Sequence, residues 1–329
     1  MILSKKPSDY ASAFGPLLCG LENCDAAVSF DVTVTDLRGG QAVGVKRLRG
    51  AQRYDVDIAA HVQALLDPAP CGGLRVEFVE KPGHTARVRV TAPGVDSGEM
   101  VFTGACGGGA AGWAGMQDTA RSAVWPRSLA PGEVDEIGFF APGKQVTAQL
   151  LFTGQGGEYA FSPAPLVAGK DMIAFVLPYD GLRDALQADG QDIAGFEDME
   201  VVVMVAGVEI IRQKYALTEA RPDSVRMAWV DRQGAIDRHT FVAVTDRTTE
   251  RGDSLARYLT KVVSDFGTPG ETAALSEILT SPRVWVESAA GCFPVEITDQ
   301  KVTAAGDSPA RLALTLRPAA AEVIRRMPW

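Results

Sequence analysis

The chain has 329 residues, of which 46% are hydrophobic and 22% charged, and its formal net charge at pH 7 is -9. This length exceeds what one hydrophobic core usually supports, so two or three domains are expected, and the composition excludes a disordered or fibrous polypeptide. The negative charge repels phosphate backbones and anionic headgroups, which argues against nucleic acid as a partner.

No segment approaches the roughly 20 continuous apolar residues that a membrane-spanning helix requires. The most apolar stretch, around Met199 to Ile211, is interrupted by Glu200, Gly207 and Glu209. The first residues carry lysines but no apolar run before Pro7, so we expect no secretory signal peptide. The sequence therefore predicts no membrane span and a chain that stays in the cytosol after synthesis.

The cysteines are odd in number and scattered, with no CxxC pair and no histidine at ligand spacing, which argues against a zinc site. They are Cys19, Cys24, Cys71, Cys106 and Cys292. Free buried thiols are expected. A Cys19–Cys24 disulfide and a reactive Cys106 in its Gly-rich loop are the alternatives.

The first third of the chain shows the period-2 alternation of half-buried strands. The apolar residues that carry it are Val28, Phe30, Val32 and Val34, followed by Leu74, Val76, Phe78, Val88 and Val90. Between these sets, the segment from Tyr54 to Asp67 spaces apolar residues three to four apart after Asp57, which predicts a short N-capped helix at one end of a β-sandwich. The Gly-rich segment 104–115 is predicted to be a long loop, and the prolines after it place a boundary near residue 145.

A basic stretch at Lys46, Arg47 and Arg49 departs from the acidic balance of the chain. Charged residues commonly protect the exposed edge of a β-sheet against pairing with other chains. We therefore interpret the stretch as a solvated strand edge rather than as a nucleic-acid patch.

Two further blocks follow the boundary near residue 145. Residues 146–220 contain apolar runs punctuated by turn residues, which is typical of a sandwich, and the segment beginning at Asp180 is predicted to form only a short helical turn between two glycines. Residues 221–329 begin with a predicted hairpin around Gly234, continue with a helix that starts near Pro269 and Glu271, and close with three strands. The predicted fold is mainly β: two β-sandwich-like domains, residues 1–145 and 146–220, and a smaller α+β domain, residues 221–329.

Few side chains offer catalytic chemistry. The chain has only three histidines (His61, His84 and His239) and no GxSxG motif, so nucleophilic catalysis is not predicted. Asp231 and Asp237 can be nominated as a glycosidase carboxylate pair. Both flank a hairpin tip expected to be exposed, where Asp ordinarily caps turns, and that interpretation is favoured.

Two other patterns only partly match binding sites. The glycines from Gly107 lack the Lys-Ser/Thr ending of a phosphate loop, so this segment is interpreted either as a contact arm that orders on assembly or as an exposed linker. The acids Asp180, Asp184, Asp189 and Asp192 lack the order of a calcium loop and are interpreted as solvated helix and turn charges, with adventitious cation binding as the alternative. We predict no cofactor and no metal.

Four of the five tryptophans fall into two groups. Trp229 and Trp285 lie inside predicted strands, where one face is normally core, whereas Trp113 and Trp329 are candidates for exposed or interfacial positions. Exposed aromatic faces also suit sugars. A glycan-binding or adhesin-like β-sandwich is therefore the alternative function, and an unrecognised hydrolase is a third.

Four segments carry a resemblance to a known group of proteins: PSDYASAFGPLLCGLE, YDVDIAAHVQALLD, VRMAWVDRQGAIDRHTF and LTSPRVWVESAAGCFPVEITDQKV. In these segments the chain resembles tail structural proteins encoded by phages and prophages of Bacteroidetes-type bacteria. The third segment matches a W-x-(N/D)-x-x-G-x-x-D-x-x-T-F hairpin pattern, with Asp where Asn is commoner. The matching residues are Trp229, Asp231, Gly234, Asp237, Thr240 and Phe241.

The resemblance implies a non-catalytic virion protein, a distal-tail or baseplate-like adaptor at the tail tip. Its copies would form an oligomeric ring and dock neighbouring tail proteins, and it would be made in the bacterial host cytoplasm. Rings need unlike surfaces on one protomer, which exposed loops and edge strands provide. The candidate interface residues are Trp113, Trp229, Asp231, Gly234, Asp237, Phe241 and Trp329.

Overall fold

The computed structural model describes residues 1–104, 127–155, 157–251, 256–288, 291–303 and 309–319. Within these ranges the chain forms 24 β-strands and three short α-helices, which confirms the predicted mainly β fold. The strands build four open sheets and one closed barrel.

The N-terminal part of the chain forms two sheets that face each other across one core. Its elements are β1 (Ile2–Lys5), β2 (Ala11–Ser12), β3 (Leu18–Glu22), β4 (Phe30–Asp36), β5 (Ala42–Leu48), β6 (Arg53–Asp57), α1 (Ala59–Gln63), β7 (Glu77–Lys81), β8 (Thr85–Ala92), β9 (Val95–Asp96) and β10 (Met100–Thr103). Of these strands, β7 belongs to neither of the two sheets. One sheet has the order β1-β3-β6. The other has the order β2-β10-β8-β4-β5, with β9 paired to β8.

The predicted alternation fills this core. Phe30, Val32 and Val34 of β4 are buried together with Val88 and Val90 of β8. The prediction is wrong at both outer ends, because Val28 and Leu74 lie outside the strands and are exposed. Both residues belong to the connections before β4 and β7, where the chain no longer alternates between two sheet faces.

The predicted short helix is α1, and it covers one end of this core through the buried side chains of Ile58 and Val62. Asp57 ends β6 rather than occupying the N-cap position itself. Its carboxylate accepts hydrogen bonds from the backbone N–H groups of Ala59, at 2.9 Å, and Leu17, at 3.1 Å. Asp57 thus ties the start of the helix to the neighbouring sheet.

The basic stretch lies at a sheet edge, as predicted. Lys46 and Arg47 belong to β5, which among the described strands pairs only with β4, and Arg49 follows the strand. All three side chains are exposed. Arg47 forms an ion pair with Asp31 of β4 at 2.8 Å.

The middle of the chain forms a second pair of sheets. Its elements are β11 (Arg127–Leu129), β12 (Val134–Phe139), β13 (Gln145–Gly154), β14 (Gly157–Phe161), β15 (Leu166–Val167), β16 (Met172–Pro178), α2 (Tyr179–Ala188), β17 (Asp198–Val205) and β18 (Val208–Leu217). One sheet has the order β11-β18-β17-β13-β14, with β15 on β13, and the other has the order β12-β16-β7.

The core of this middle unit begins before residue 145. Phe78 of β7 packs with Phe175 of β16 at a ring-centroid distance of 4.7 Å, and both belong to one buried cluster with Leu129 and Ile137. The predicted boundary therefore does not coincide with the edge of a hydrophobic core. The division into three domains stays a prediction.

The helix α2 is longer than predicted, with ten residues from Tyr179 to Ala188. Leu182 and Leu186 bury one face of it against the middle core. Gly181 lies inside the helix, close to the carbonyl oxygen of Leu74. A Cβ atom on residue 181 would lie only 2.6 Å from that oxygen, so a larger residue would not fit. The glycine marks a close approach of two segments rather than the end of the helix.

The last part of the chain closes into a six-stranded barrel with the order β19-β20-β21-β24-β23-β22. Its elements are β19 (Ser224–Val230), β20 (Ile236–Arg251), β21 (Ala256–Val263), α3 (Pro269–Leu275), β22 (Val284–Ser288), β23 (Gly291–Thr303) and β24 (Arg311–Pro318). The predicted helix is confirmed as α3, which has a capping box between Thr268 and Glu271 and continues as a short 3-10 turn to Thr280. Trp229 and Phe241 lie in the barrel core.

The predicted hairpin is confirmed as β19–β20, and Gly234 adopts φ +79° in its turn. The prediction of an exposed tip is wrong. Asp231 and Ala235 are buried, because the tip packs against Phe140 and Met172 of the middle unit. The turn is thus a junction between the barrel and the sheets.

Burial predicts the cost of truncating side chains in these cores. Leu150 of β13 is fully buried in the middle core, so Leu150→Ala should lower the free energy of unfolding by about 2–5 kcal/mol. Leu74→Ala is the matched control, since Leu74 is 89% exposed and should lose less than about 0.5 kcal/mol. Urea titration followed by tryptophan fluorescence measures both; equal losses would contradict the packing described here.

Candidate functional site

A group of buried and half-buried charged side chains lies where the barrel meets the middle sheets. We call it the buried ion-pair cluster, and it comprises Lys81, Arg127, Glu133, Asp135, Glu136, Arg226, Asp237, Arg238 and Glu287. The strands that carry them are β7, β11, β12, β19, β20 and β22, with Glu133 just before β12. Six strands from three sheets thus contribute charges to one buried region.

One half of the cluster is centred on Arg127, whose side chain is 5% exposed. Its guanidinium lies 3.0 Å from the carboxylate of Asp135 and also donates to Asp237 of the hairpin. Arg226 lies beside it and donates to Thr240 at 2.9 Å, while the Thr240 hydroxyl donates to Glu133 at 2.6 Å. These contacts fix the hairpin to β11 and β12.

The other half is centred on Glu136, whose side chain is 1% exposed. It lies 3.3 Å from Lys81 and 3.3 Å from Arg238, and it accepts a hydrogen bond from the backbone N–H of Cys71 at 2.9 Å. Arg238 has no exposed side-chain surface and also pairs with Glu287 at 2.8 Å. Each buried charge here has an oppositely charged neighbour, as burial requires.

The hairpin turn is held from both sides. Asp231 accepts hydrogen bonds from the backbone N–H groups of Gln233, at 2.8 Å, and Ala235, at 2.9 Å. The carbonyl of Gly234 accepts a hydrogen bond from Nδ1 of the buried His84 at 2.6 Å. Burial, followed by the charge of Lys81, lowers the pKa of His84, so this histidine is a neutral donor at pH 7.

The electrostatics of the cluster favour fixed charges. Burial alone would raise the pKa of Glu136, but the charges of Arg238 and Lys81 lower it below its usual value. Burial opposes the charge of Arg127 and Arg238, yet their carboxylate partners raise the pKa of both. A proton-transfer site needs a group whose pKa is moved toward neutrality, so this arrangement suits a structural junction.

The predicted interface residues lie in different places. Trp229 and Phe241 are in the barrel core, Asp231 and Gly234 form the buried turn, and Asp237 binds Arg127. Such positions leave these side chains little surface for a partner subunit. Trp113 and Trp329 lie outside the described residues, together with Cys106 and the rest of the Gly-rich segment after Gly104.

The carboxylates considered as catalytic or calcium-binding candidates all have structural partners. Asp231 and Asp237 have separate structural partners, the turn and Arg127, so the turn-cap interpretation of Asp231 is confirmed. The acids of the α2 region are engaged in surface contacts: Asp180 and Asp184 with Arg183, Asp189 with Tyr159, and Asp192 with the N–H of Ala194. Across the described ranges, no three His, Cys, Asp or Glu side chains are placed to hold a metal ion.

The four described cysteines are unpaired: Cys19 and Cys24 are buried, Cys71 is half-buried and Cys292 is exposed. Burial, followed by the charge of Asp57, raises the pKa of Cys19 to about 11, so its thiol stays protonated. The prediction of free thiols holds for these four, but Cys71 is only half-buried and Cys292 is exposed, so burial is confirmed for Cys19 and Cys24 alone. The Cys19–Cys24 disulfide alternative is not observed.

Sequence reasoning missed the buried ion-pair cluster. Glu136 and Arg238 are 102 positions apart in the chain, and nothing local marks either as buried. One available signal is the unusual run Glu133, Asp135 and Glu136 within an otherwise apolar stretch before Phe139. Acids on both faces of a strand imply partners on both faces.

No protein-family model matches the chain, and no curated protein matches it significantly. None of the helices in the described part of the chain combines the length and the apolar character needed to cross a membrane.

Removing one member of the cluster should destabilise the protein strongly. Arg238→Met leaves Glu287 and part of Glu136 uncompensated, so the free energy of unfolding should fall by about 3–5 kcal/mol in urea titrations. Adding Glu287→Gln to this variant should recover part of the loss. Arg183→Met is the matched control at an exposed ion pair and should change stability little; a similar loss in both would contradict a structural role for the cluster.

His239, which lies near Arg226 of the cluster, predicts how stability depends on pH. Burial, followed by the charge of Arg226, lowers the pKa of His239 from 6.5 to about 4. Between these values the unfolded chain binds a proton that the folded protein does not, so the free energy of unfolding should fall as the pH drops from 6.5 toward 4. His239→Phe should give a shallower decline in urea titrations at pH 7, 6 and 5. An unchanged slope would show that His239 does not carry the effect.

Proposed function

We propose that this chain is a non-catalytic structural subunit of a phage tail, a ring-forming adaptor at the tail tip or baseplate. The observation that carries the proposal is the exposure of β23. Eleven of its 13 residues are exposed, which is unusual for a strand inside a barrel. Such a strand offers a surface for binding, because no described element covers most of its side chains.

The hydrogen-bond pattern of β23 supports this interpretation. Its partner β22 covers only Gly291 to Val295, whereas β24 pairs with it as far as Thr303. Among the described residues, no strand pairs with the other side of β23 beyond Val295. An exposed edge of this kind can add a strand from a neighbouring protein through main-chain hydrogen bonds.

The buried ion-pair cluster adds a second line of support. An adaptor must transmit the position of one binding surface to another, and this requires that its parts do not move independently. The cluster and the buried hairpin tip join the barrel to the middle sheets, and Arg38 and Thr85 join the N-terminal sheets to Asp171 of the middle unit. Together with the resemblance to tail proteins, these features favour assembly over turnover.

The glycan-binding alternative depends on exposed tryptophans. Trp229 and Trp285 are buried, and the other three lie outside the described residues. A glycan array tests this alternative directly: specific binding abolished by Trp113→Ala would favour a lectin-like role over a tail subunit.

The proposal predicts self-association and incorporation into tails. Size-exclusion chromatography with light scattering should show oligomers, and negative-stain electron microscopy should show rings. Mass spectrometry of purified tail particles should detect the chain, and deleting its gene should leave particles without a complete tip. A monomeric protein that is absent from particles would contradict the proposal.

A further inference from the structure

The open edge of β23 is the segment 296–303. β24 pairs along one side of this segment, whereas β22 on the other side reaches only as far as Val295, and no other described strand takes over from it. Asp299 and Lys301 are exposed neighbours of opposite charge, so the net charge of the edge does not select a partner. What the edge offers is a row of backbone donors and acceptors to one further strand.

The C-terminal segment, residues 320–329, follows directly on the last described residue of the barrel and reads AAEVIRRMPW. Its first eight residues, 320–327, contain neither proline nor glycine and include the strand-favouring pair Val323 and Ile324. These eight residues match the length of the open edge, which also has eight. The segment closes with Trp329, a side chain of the type that anchors interfaces.

The chain leaves the barrel in the direction away from its own open edge. β24 runs antiparallel to β23 and ends with Pro318 opposite Val295. The backbone N–H of Ala319 then donates to the carbonyl of Pro294 at 3.0 Å, beside the part of β23 that pairs with β22. To pair with its own open edge, the C-terminal segment would have to turn back and pass to the other side of β23.

The length of the segment excludes this pairing within one chain. If eight of its ten residues form the added strand, the other two carry the chain at most about 11 Å from Ala319 to that strand. The added strand and β24 would lie on opposite sides of β23, about 10 Å apart, and the straight path between them passes through β23 itself. A path around the strand that also reverses direction is longer than this linker.

We propose that the C-terminal segment of one copy adds a strand to the open edge of β23 in a second copy. Main-chain hydrogen bonds supply the affinity, and the apolar side chains of the segment cover the exposed Val302. This inference rests on the proposed ring-forming function and names its copy-to-copy contact. Because the donated segment and the accepting edge are different surfaces of one chain, the contact repeats head to tail and closes into a ring when the rotation permits.

Removing residues 320–329 tests the donor. No described strand or helix extends beyond Pro318, so the truncated chain should keep its circular dichroism spectrum and its unfolding temperature. Its self-association should weaken by at least about tenfold, because the donated strand is missing. Trp329→Ala in the full chain should weaken association less than the truncation does, since the backbone pairing remains. Light scattering at a series of concentrations measures each case.

A synthetic peptide of residues 320–329 tests the acceptor. In fluorescence anisotropy it should bind the truncated chain, and in hydrogen-exchange mass spectrometry it should slow the exchange of the backbone amides of residues 296–303. The matched control is the same peptide with Ile324→Pro, which loses a backbone donor and interrupts the strand. This control should bind at least about tenfold more weakly.

The outcomes separate this contact from the tail function. If the truncated chain assembles as the full chain does, strand donation is overturned while the tail function stands. If the peptide protects no amide, or amides outside 296–303, β23 is not the acceptor. Protection of this edge in a monomeric full chain, independent of concentration, would show binding within one chain and overturn the contact between copies. Protection that requires another tail protein would assign the edge to that protein instead.

Discussion

The arrangement of this protein depends on charges that are buried and must therefore be paired. Arg238 has no exposed side-chain surface and lies 3.3 Å from Glu136 and 2.8 Å from Glu287. Water cannot compensate these charges, so separating the barrel from β12 would leave ions in an apolar region. This requirement fixes the position of the barrel relative to the sheets more strictly than apolar contact does. A shift of a few ångströms would separate the charges of an ion pair, whereas two apolar surfaces can remain in contact after the same shift.

The same constraint explains why β7 crosses from the N-terminal segment to the middle unit. Phe78 of β7 supplies an aromatic ring to the middle core, and Lys81 at the end of the strand reaches Glu136. The chain then returns through His84 to the N-terminal sheet, and His84 donates to the carbonyl of Gly234 in the hairpin turn. A single short stretch thus contacts all three parts of the molecule. These contacts fix the positions of the three parts relative to one another.

Much of the fold could be predicted from local pattern. The alternation of Phe30, Val32 and Val34, the hairpin around Gly234 and the capped helix at Pro269 all depend on neighbours in sequence, and each is confirmed. The buried tip and the ion-pair cluster could not be predicted, because they depend on contacts between strands that are far apart in the sequence. A polar turn is ordinarily solvated, and only the approach of Phe140 and Met172 reverses that expectation.

The distribution of charge divides the molecule into parts with different roles. In the buried ion-pair cluster every cation has a carboxylate neighbour, so these charges contribute rigidity and are not available to a partner. On the surface, Arg47 pairs with Asp31 and Arg212 with Glu200. Lys46 and Asp198 nearby are exposed and form no ion pair with a described residue. Because exposed unpaired charges gain most when an oppositely charged surface approaches, the edges and outer sheet faces are where the proposed assembly would form its contacts, while the paired charges of the interior hold those surfaces in fixed positions.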